Sequence, residues 1–393
     1  MKIVWISSWP PRHCGIATYS YDLVSALRAR NNKVLIVCHQ DGGKKEEQDV
    51  FPIIDLKNAD WDDVIYRKVK EIAPDLVHIQ HEYALYNRNN DYSAGLLRLL
   101  FRLKVEQHSP VVITYHSVYS TLNESEKNFT DVALRLTGAG IVHEGYQWMN
   151  LPVNLGWVPQ NVYVIPHGAK DVKKYPRRFR QFSYEAERVI GLLGWWEPNK
   201  GFERVIRLWP EIYQKLSRKY RLMVAGDARP GSTSGPQAKE IILQAVETSP
   251  IKETIDVIIG SFSPEDYDSL LSCMDIMVLP YTHASQSGNL AHSFALGVPA
   301  VVTALEGLKS QIEESGAGIA CSRDDDLDLI RGILTLANDD ALRQRYSQNA
   351  RTYVTDQIVW SIVASKHERL YEKVRTFFDK AVQKRSLDGK IHL

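Results

Sequence analysis

Short β-branched and apolar runs alternate with amphipathic stretches along almost the whole chain. Residues 3–6, 34–37, 76–79, 111–115, 140–143 and 162–165 have the length and composition of buried strands. Stretches such as 62–72 and 94–105 between them carry apolar residues at helical spacing. A strand, a helix and a second strand form a right-handed crossover, and a series of crossovers builds a parallel sheet covered on both faces. The alternation pauses at 168–183, a polar, basic, proline-containing stretch read as an interdomain linker. It resumes with strands at 189–193, 222–224, 255–259, 276–279 and 300–303, separated by helical stretches such as 202–216 and 264–274. The expected architecture is α/β, with two Rossmann-like doubly wound parallel-sheet domains over 1–170 and 184–355. The remaining segment, 356–393, has helical spacing through Ile358, Ile362, Val363, Leu370 and Val374.

Composition narrows the class. With 393 residues, 44% hydrophobic and 24% charged, the chain builds a sizeable core. A net charge of +1 argues against nucleic acid as a partner, which calls for a strong basic excess or stripe. One basic cluster departs from this balance, Lys173-Lys174-Tyr175-Pro176-Arg177-Arg178-Phe179-Arg180. It reads either as a solvated linker face or as weak peripheral contact with an anionic membrane surface or acidic glycan. Cys14, Cys38, Cys273 and Cys321 lack metal-binding spacing and read as reduced, mostly buried thiols. No signal-peptide pattern follows Met1, and no run reaches the ~18 apolar residues that a membrane span needs. The expectation is a cytoplasmic protein, with any membrane contact peripheral and at the inner face.

Ligands of doubly wound sheets bind beyond the carboxyl ends of the strands, so the residues after each strand weigh most. In the first half these are repeatedly histidines: His39, His78, His81, His116, His143 and His167. One strand-end histidine is usually structural, whereas several on one rim are a way to orient a polar ligand. His78 and His81, three positions apart on a strand, point to opposite faces, which argues against a metal pair. The first strand passes into a helix through "SSWPPRHCGIATY" (7–19), in which Gly15 allows close backbone approach at the helix start. The glycine spacing of a dinucleotide fingerprint is absent, which disfavours a Rossmann dehydrogenase.

The second half carries three loops with phosphate-binding character. Gly194-Trp195-Trp196-Glu197-Pro198-Asn199-Lys200-Gly201 follows a strand and opens a helix, so Lys200 and unpaired helix N–H groups suit a diphosphate. Gly226-Asp227 makes a tight strand-end turn. Ser285-Gln286-Ser287-Gly288-Asn289-Leu290 offers hydroxyls and backbone N–H groups before another helix. An acidic run, Asp324-Asp325-Asp326-Leu327-Asp328, fits the N-terminus of a helix better than a metal site.

These phrases, in order, resemble the GT-B fold and within it the retaining nucleotide-sugar-dependent transferases of glycosyltransferase family 4. The resemblance rests on "LLGWWEPNKGFERVI" (192–206), "VAGD" (224–227), "GSFSPEDYDSLLSCMDIMVLPY" (260–281) and "AHSFALGVPAVVT" (291–303). "PPRHCGIATY", "VHIQHEY", "VVITYH" and "VIPHG" extend it into the first half. It implies an acceptor-binding domain facing a nucleotide-sugar-binding domain across a cleft, with the last helix returning to the first domain. It also implies a hexosyltransferase, with mannose from GDP-mannose as the first guess and glucose from UDP-glucose as the second. The acceptor is a glycan, a lipid-linked sugar or a small molecule.

No cofactor or metal is expected, and the acceptor proton leaves on the departing phosphate. The resemblance makes His116 and Lys200 the catalytic candidates. Gly15, Gly194, Lys200, Gly226, Asp227, Ser285, Gln286, Ser287, Gly288, Asn289, Leu290 and His292 are the donor-site candidates. Arg12, His13, His81, Glu82, Tyr83, His143 and His167 are the acceptor- and sugar-side candidates. Two departures from the family stand out. Trp195 occupies the place of a phosphate-binding arginine, for which Arg12, His13, Arg204 or Arg229 are candidate substitutes. Ala284 and His292 occupy the places of two glutamates, one for the donor sugar and one for ribose. These departures keep open a non-catalytic nucleotide-sugar-binding relative, and a nucleotide-sugar 2-epimerase is a further alternative.

Overall fold

The structure is a computed structural model describing residues 1–388 except 45, 90, 173–174 and 185–186, with side chains described to residue 380. Two compact units result: Met1–Gly168 together with the segment from Trp360 onward, and Ala169–Val359.

The first unit holds a seven-stranded parallel sheet. Its strands are β1 (Lys2–Ser7), β2 (Lys33–His39), β3 (Val50–Ile54), β4 (Leu76–His81), β5 (Val111–Tyr115), β6 (Ala139–Val142) and β7 (Val162–Val164). Their order is β3-β2-β1-β4-β5-β6-β7. Ile3 and Trp5 of β1 pack on one face with the helix Gly15–Ala29 and with Val363, Tyr371 and Val374 of the last helix, Trp360–Asp388. Val4 and Ile6 enter the core on the other face, with the helices Trp61–Ile72 and Ala94–Val105. Burial on both faces is why these strands read as unbroken apolar runs.

The second unit opens with a short antiparallel hairpin, β8 (Arg178–Phe179) and β9 (Phe182–Ser183). Its main sheet is parallel and six-stranded: β10 (Arg188–Leu193), β11 (Tyr220–Gly226), β12 (Ile255–Ile259), β13 (Ile276–Leu279), β14 (Ala300–Thr303) and β15 (Gly318–Cys321). The order is β12-β11-β10-β13-β14-β15. In each sheet the winding reverses beside its first long strand, between β1 and β4 and between β10 and β13. Such switch points are where sheets of this kind open a crevice for ligand. The loops that follow these four strands are the histidine-bearing and glycine-bearing loops singled out above.

Two features differ from the sequence reading. The stretch 168–183 is not a free linker, because the second unit begins at Ala169. Phe179 is buried in the second core, and Arg177 donates to Asp275 (2.7 Å). The Tyr175 N–H also donates to the Ser272 hydroxyl (3.1 Å), which fixes the stretch against the helix Pro264–Cys273. Lys173 and Lys174 of the basic cluster lie outside the described residues. The strands β3 and β15, absent from the sequence reading, are both sheet edges. Pro52 within β3 is tolerated only where a ladder hydrogen bond is dispensable. The acidic run caps a helix as expected, since Asp325 accepts from the Asp328 N–H (3.0 Å) and Asp326 holds Arg204 (2.6 Å).

Candidate functional site

At the carboxyl edge of the first sheet, aromatic side chains gather around Tyr19. Its ring meets His116, His143 and His167 edge-on, with centroids 4.9, 5.3 and 5.0 Å away. His116 and His143 lie 5.0 Å apart, and His143 and His167 5.7 Å apart. Tyr19 reaches the group because the helix Gly15–Ala29 starts directly beyond the β1 loop. Burial disfavours the imidazolium form of three of these histidines: His143 and His81 are pushed down to about 3, and His116 is lowered strongly, with neighbouring histidines adding to the effect at His116. These are neutral rings that donate from one nitrogen and accept at the other. His143 Nδ1 donates to the Ile165 carbonyl (3.0 Å), which makes Nε2 the accepting nitrogen. That nitrogen and the Tyr19 hydroxyl are buried without partners among the described residues.

Two helices, Gly15–Ala29 and Gly145–Leu155, begin at this edge with a glycine. A Cβ added at either glycine would meet nothing within 4 Å, so each helix N-terminus opens onto free space. The backbone at both starts is open to close approach.

Other candidates on this side are committed elsewhere. His81 is turned into the core, stacked on Phe129 at 4.2 Å, rather than presented at the rim. The Glu82 carboxylate accepts from the Ser117 hydroxyl, and burial raises its protonation range. The Tyr83 hydroxyl lies 3.4 Å from Thr130 Oγ1. His167 Nδ1 donates to the Gly168 carbonyl (2.7 Å), and His39 donates to the Leu85 carbonyl (2.8 Å), a structural role. His13 is exposed. Arg12 is already paired with Asp41 (2.9 Å).

In the second unit the three glycine-bearing loops are tied into one platform. Gly194, Gly201 and Gly226 have φ of +139°, +62° and +154°, which L side chains rarely adopt. A Cβ on Gly226 would lie 2.0 Å from the Gly194 carbonyl oxygen, and one on Gly201 would lie 2.3 Å from that of Pro280. The Trp196 N–H donates to the Asp227 carbonyl (2.8 Å) and the Thr282 N–H to the Asn199 carbonyl (3.0 Å). Asn289 Nδ2 donates to the Leu193 carbonyl (3.1 Å). The platform is therefore preformed from backbone.

Lys200 ends a single 3₁₀ turn, Pro198–Lys200, just before the helix Phe202–Gln214. Its Nζ lies 3.8 Å from the centre of the Tyr281 ring, and among the described residues no carboxylate pairs with it. Neighbouring cations differ: Arg229 faces Glu197 (3.5 Å), Lys239 faces Asp227 (2.7 Å) and Arg204 faces Asp326 (2.6 Å). Arg12, Arg204 and Arg229 each face an acid.

The last loop is partly tied into its own unit. Ser287 caps the helix Gly288–Ala295 by accepting from the Leu290 N–H (3.4 Å), and the Leu290 side chain is in the core. Leu290 therefore offers little to an anion. His292 Nε2 is held by the Asp268 carboxylate while the ring stacks on Tyr267 at 5.3 Å. Ser285 and Ser287 are buried, and Gln286 Oε1 is buried without a partner among the described residues. Asp268, Tyr281, Tyr19 and Gln80 escaped the sequence reading. The first three lie within "GSFSPEDYDSLLSCMDIMVLPY" and "PPRHCGIATY", but only tertiary contact links them to the site. Gln80 lies within "VHIQHEY" but is marked there by no chemistry of its own.

Comparison with known proteins agrees with this layout. Residues 14–173 match the Glycosyltransferase Family 4 domain and residues 175–353 the Glycosyl transferases group 1 domain. N-acetyl-alpha-D-glucosaminyl L-malate synthase of Bacillus anthracis is 24% identical over 190 residues, 48% of this chain. That match spans 46% of the relative, less than half its length. Among solved structures, Anabaena HepE in complex with UDP and glucose superposes with a TM-score of 0.74 at 15% identity, covering 95% of this chain and all of that one. Sucrose-phosphate synthase from Thermosynechococcus elongatus gives 0.73 at 16% identity, covering 95% and 99%. With a glycosyltransferase domain matched in each half and two parallel sheets that superpose on these structures, the chain belongs to the GT-B-fold glycosyltransferases and is similar to family 4.

Proposed function

We propose that this protein transfers a hexose from a nucleoside diphosphate-sugar to an acceptor hydroxyl with retention of anomeric configuration. The observation that carries the reading is Lys200, a cation that no carboxylate among the described residues pairs with, on a glycine platform just before a helix. A diphosphate supplies the charge that this arrangement lacks. Gly194, Gly226, Asp227, Ser285, Gln286, Ser287, Gly288 and Asn289 line the donor side, and His292, steadied by Asp268, faces ribose. On the first unit, His116, His143 and His167 orient sugar and acceptor hydroxyls, with Glu82 and Tyr83 supporting the loop beside them.

In the transfer, the bond from the anomeric carbon to the phosphate oxygen breaks as the bond to the acceptor oxygen forms. The acceptor proton passes to the departing phosphate, so no protein base is required. Negative charge grows on that phosphate, and preorganised donors aimed at it supply the largest catalytic contribution. UDP-glucose and GDP-mannose are the donors of choice. HepE was solved with UDP and with UDP-glucose, which supports the first. The acceptor is a glycan, a lipid-linked sugar or a small molecule, and the protein works in the cytoplasm.

A thermal-shift panel of UDP, GDP, ADP and their sugars selects the nucleotide, since a ligand at 100 times its Kd adds about 2.7 kcal/mol. Product detection with the selected donor, and the anomeric coupling of the product, then test transfer and retention. Trp195 and Ala284, at places where the family carries an arginine and a glutamate, favour a second reading, binding without turnover. Tight nucleotide-sugar binding with no product across acceptors would establish it.

A further inference from the structure

Four buried side chains of the first unit form a continuous hydrogen-bonded line behind the rim. His116 Nε2 lies 2.8 Å from Gln80 Oε1, Gln80 Nε2 lies 3.0 Å from His78 Nε2, and His78 Nδ1 lies 2.5 Å from the Tyr371 hydroxyl. His78, Gln80 and Tyr371 are fully buried, and His116 is 4% exposed. Strand geometry explains the line. His78 and Gln80 alternate onto one face of β4, and Thr114 and His116 follow the same face at the end of β5, where Gln80 and Thr114 are direct neighbours. That face is the one covered by the last helix, which supplies Tyr371.

An amide has one donating end and one accepting end, so the orientation of Gln80 sets every proton along the line. Its oxygen faces His116, which must therefore donate from Nε2. Its nitrogen faces His78, which must therefore accept at Nε2; the Thr114 hydroxyl lies 2.8 Å from the same atom. A neutral His78 then carries its proton on Nδ1 and donates it to Tyr371. Turning the amide over reverses the line and puts the His116 proton on Nδ1 instead.

We propose that Gln80, His78 and Tyr371 are positioning residues that hold His116 as the neutral Nε2–H tautomer, with Nδ1 as its accepting nitrogen, and fix its ring plane beside Tyr19. The proposal rests on the reading of His116 as a group that contacts the transferred sugar or its acceptor. The partner on one imidazole nitrogen determines what the other nitrogen offers a substrate. The C-terminal helix thereby reaches the site without touching substrate.

The test uses the full chain labelled with ¹⁵N-histidine, with the His116 signals assigned by their loss in His116→Gln. Long-range ¹H–¹⁵N correlation spectra should show the His116 proton on Nε2 in the wild type. In Gln80→Leu that tautomer should be lost or mixed, and kcat should fall about 10- to 100-fold, the range that partners of a functional imidazole carry elsewhere. The donor KM should stay within about twofold. A wild-type proton on Nδ1, or an unchanged tautomer in Gln80→Leu, overturns the proposal. Should Gln80→Leu fail to fold, Tyr371→Phe removes a single oxygen and must still move the His78 signals and lower kcat; unchanged values there also overturn it. The spectra need no substrate, so the two readings separate. The expected tautomer without any transfer overturns only the proposed function, and transfer with the wrong tautomer overturns only the relay.

Discussion

Replacing Lys200 by Met separates a ligand-binding cation from a structural one. In the free protein the ammonium gives up one cation–π contact, 3.8 Å above Tyr281, worth about 0.5–1 kcal/mol at a partly exposed site. No carboxylate is stranded, because none pairs with it among the described residues. A unit of this size loses about 2–4 °C per kcal/mol, so the melting temperature should fall by no more than about 4 °C. A charge-assisted hydrogen bond to a diphosphate is worth about 1.5–3 kcal/mol, so the Kd for UDP or GDP should rise about 10- to 150-fold. Titration calorimetry with both nucleotides measures the second quantity and a ligand-free melt the first. Lys215→Met, which removes an exposed lysine paired with Glu211 (2.7 Å), is the matched comparison and should change neither by more than about 0.5 kcal/mol. Nucleotide binding by Lys200→Met within about threefold of wild type would refute the placement of the diphosphate at this loop. A ligand-free melt depressed by more than about 8 °C would show that Lys200 is structural.

Gly226→Ala forces a Cβ to within 2.0 Å of the Gly194 carbonyl oxygen at φ +154°, so the second unit should lose about 3 kcal/mol or more in denaturant melts. Asp275 accepts from Arg177 (2.7 Å), Arg188 (2.8 Å) and the Val189 N–H (2.9 Å). Asp275→Asn should therefore cost about 2–3 kcal/mol, less than a fully buried pair because both guanidiniums are partly solvated. The first unit should weaken in acid. His81 and His143 are held down to about 3 and His367 to about 4, from an unfolded value of 6.5. Protons therefore bind the unfolded chain first, and stability falls as pH drops from 6.5 towards about 4. The slope should be about 1.4 kcal/mol per pH unit for each such histidine, and His81→Leu should reduce it by one histidine's share in melts across that range.

The central strands were legible because a strand buried on both faces is apolar through most of its length, as β1, β5 and β13 are. The edges were not, since β3 is interrupted by Pro52 and β15, Gly-Ile-Ala-Cys, is short and holds one β-branched residue, so neither carries a strand's composition. The glycines of the platform were visible as spacing in the chain. The ion pairs that occupy Arg12, Arg204 and Arg229 were not, because Asp41, Asp326 and Glu197 become their neighbours only through tertiary folding. His81 shows the same limit from the other side. Its position after a strand marked it for the rim, but the stack on Phe129 draws it into the core.

The first unit is built from two stretches of chain separated by the whole of the second. Trp360, Val363, Tyr371 and Val374 complete its core, yet a ribosome makes them after all of residues 169–359. During synthesis the later unit has its full sequence before the earlier one does. The first sheet must wait with one face covered only in part, by the helix Gly15–Ala29, and on that face lie Ile3, Trp5 and Ile36. Exposed apolar sheet is what chaperones bind and what aggregates. A stop codon or protease cut near residue 360 would therefore damage the beginning of the protein rather than its end.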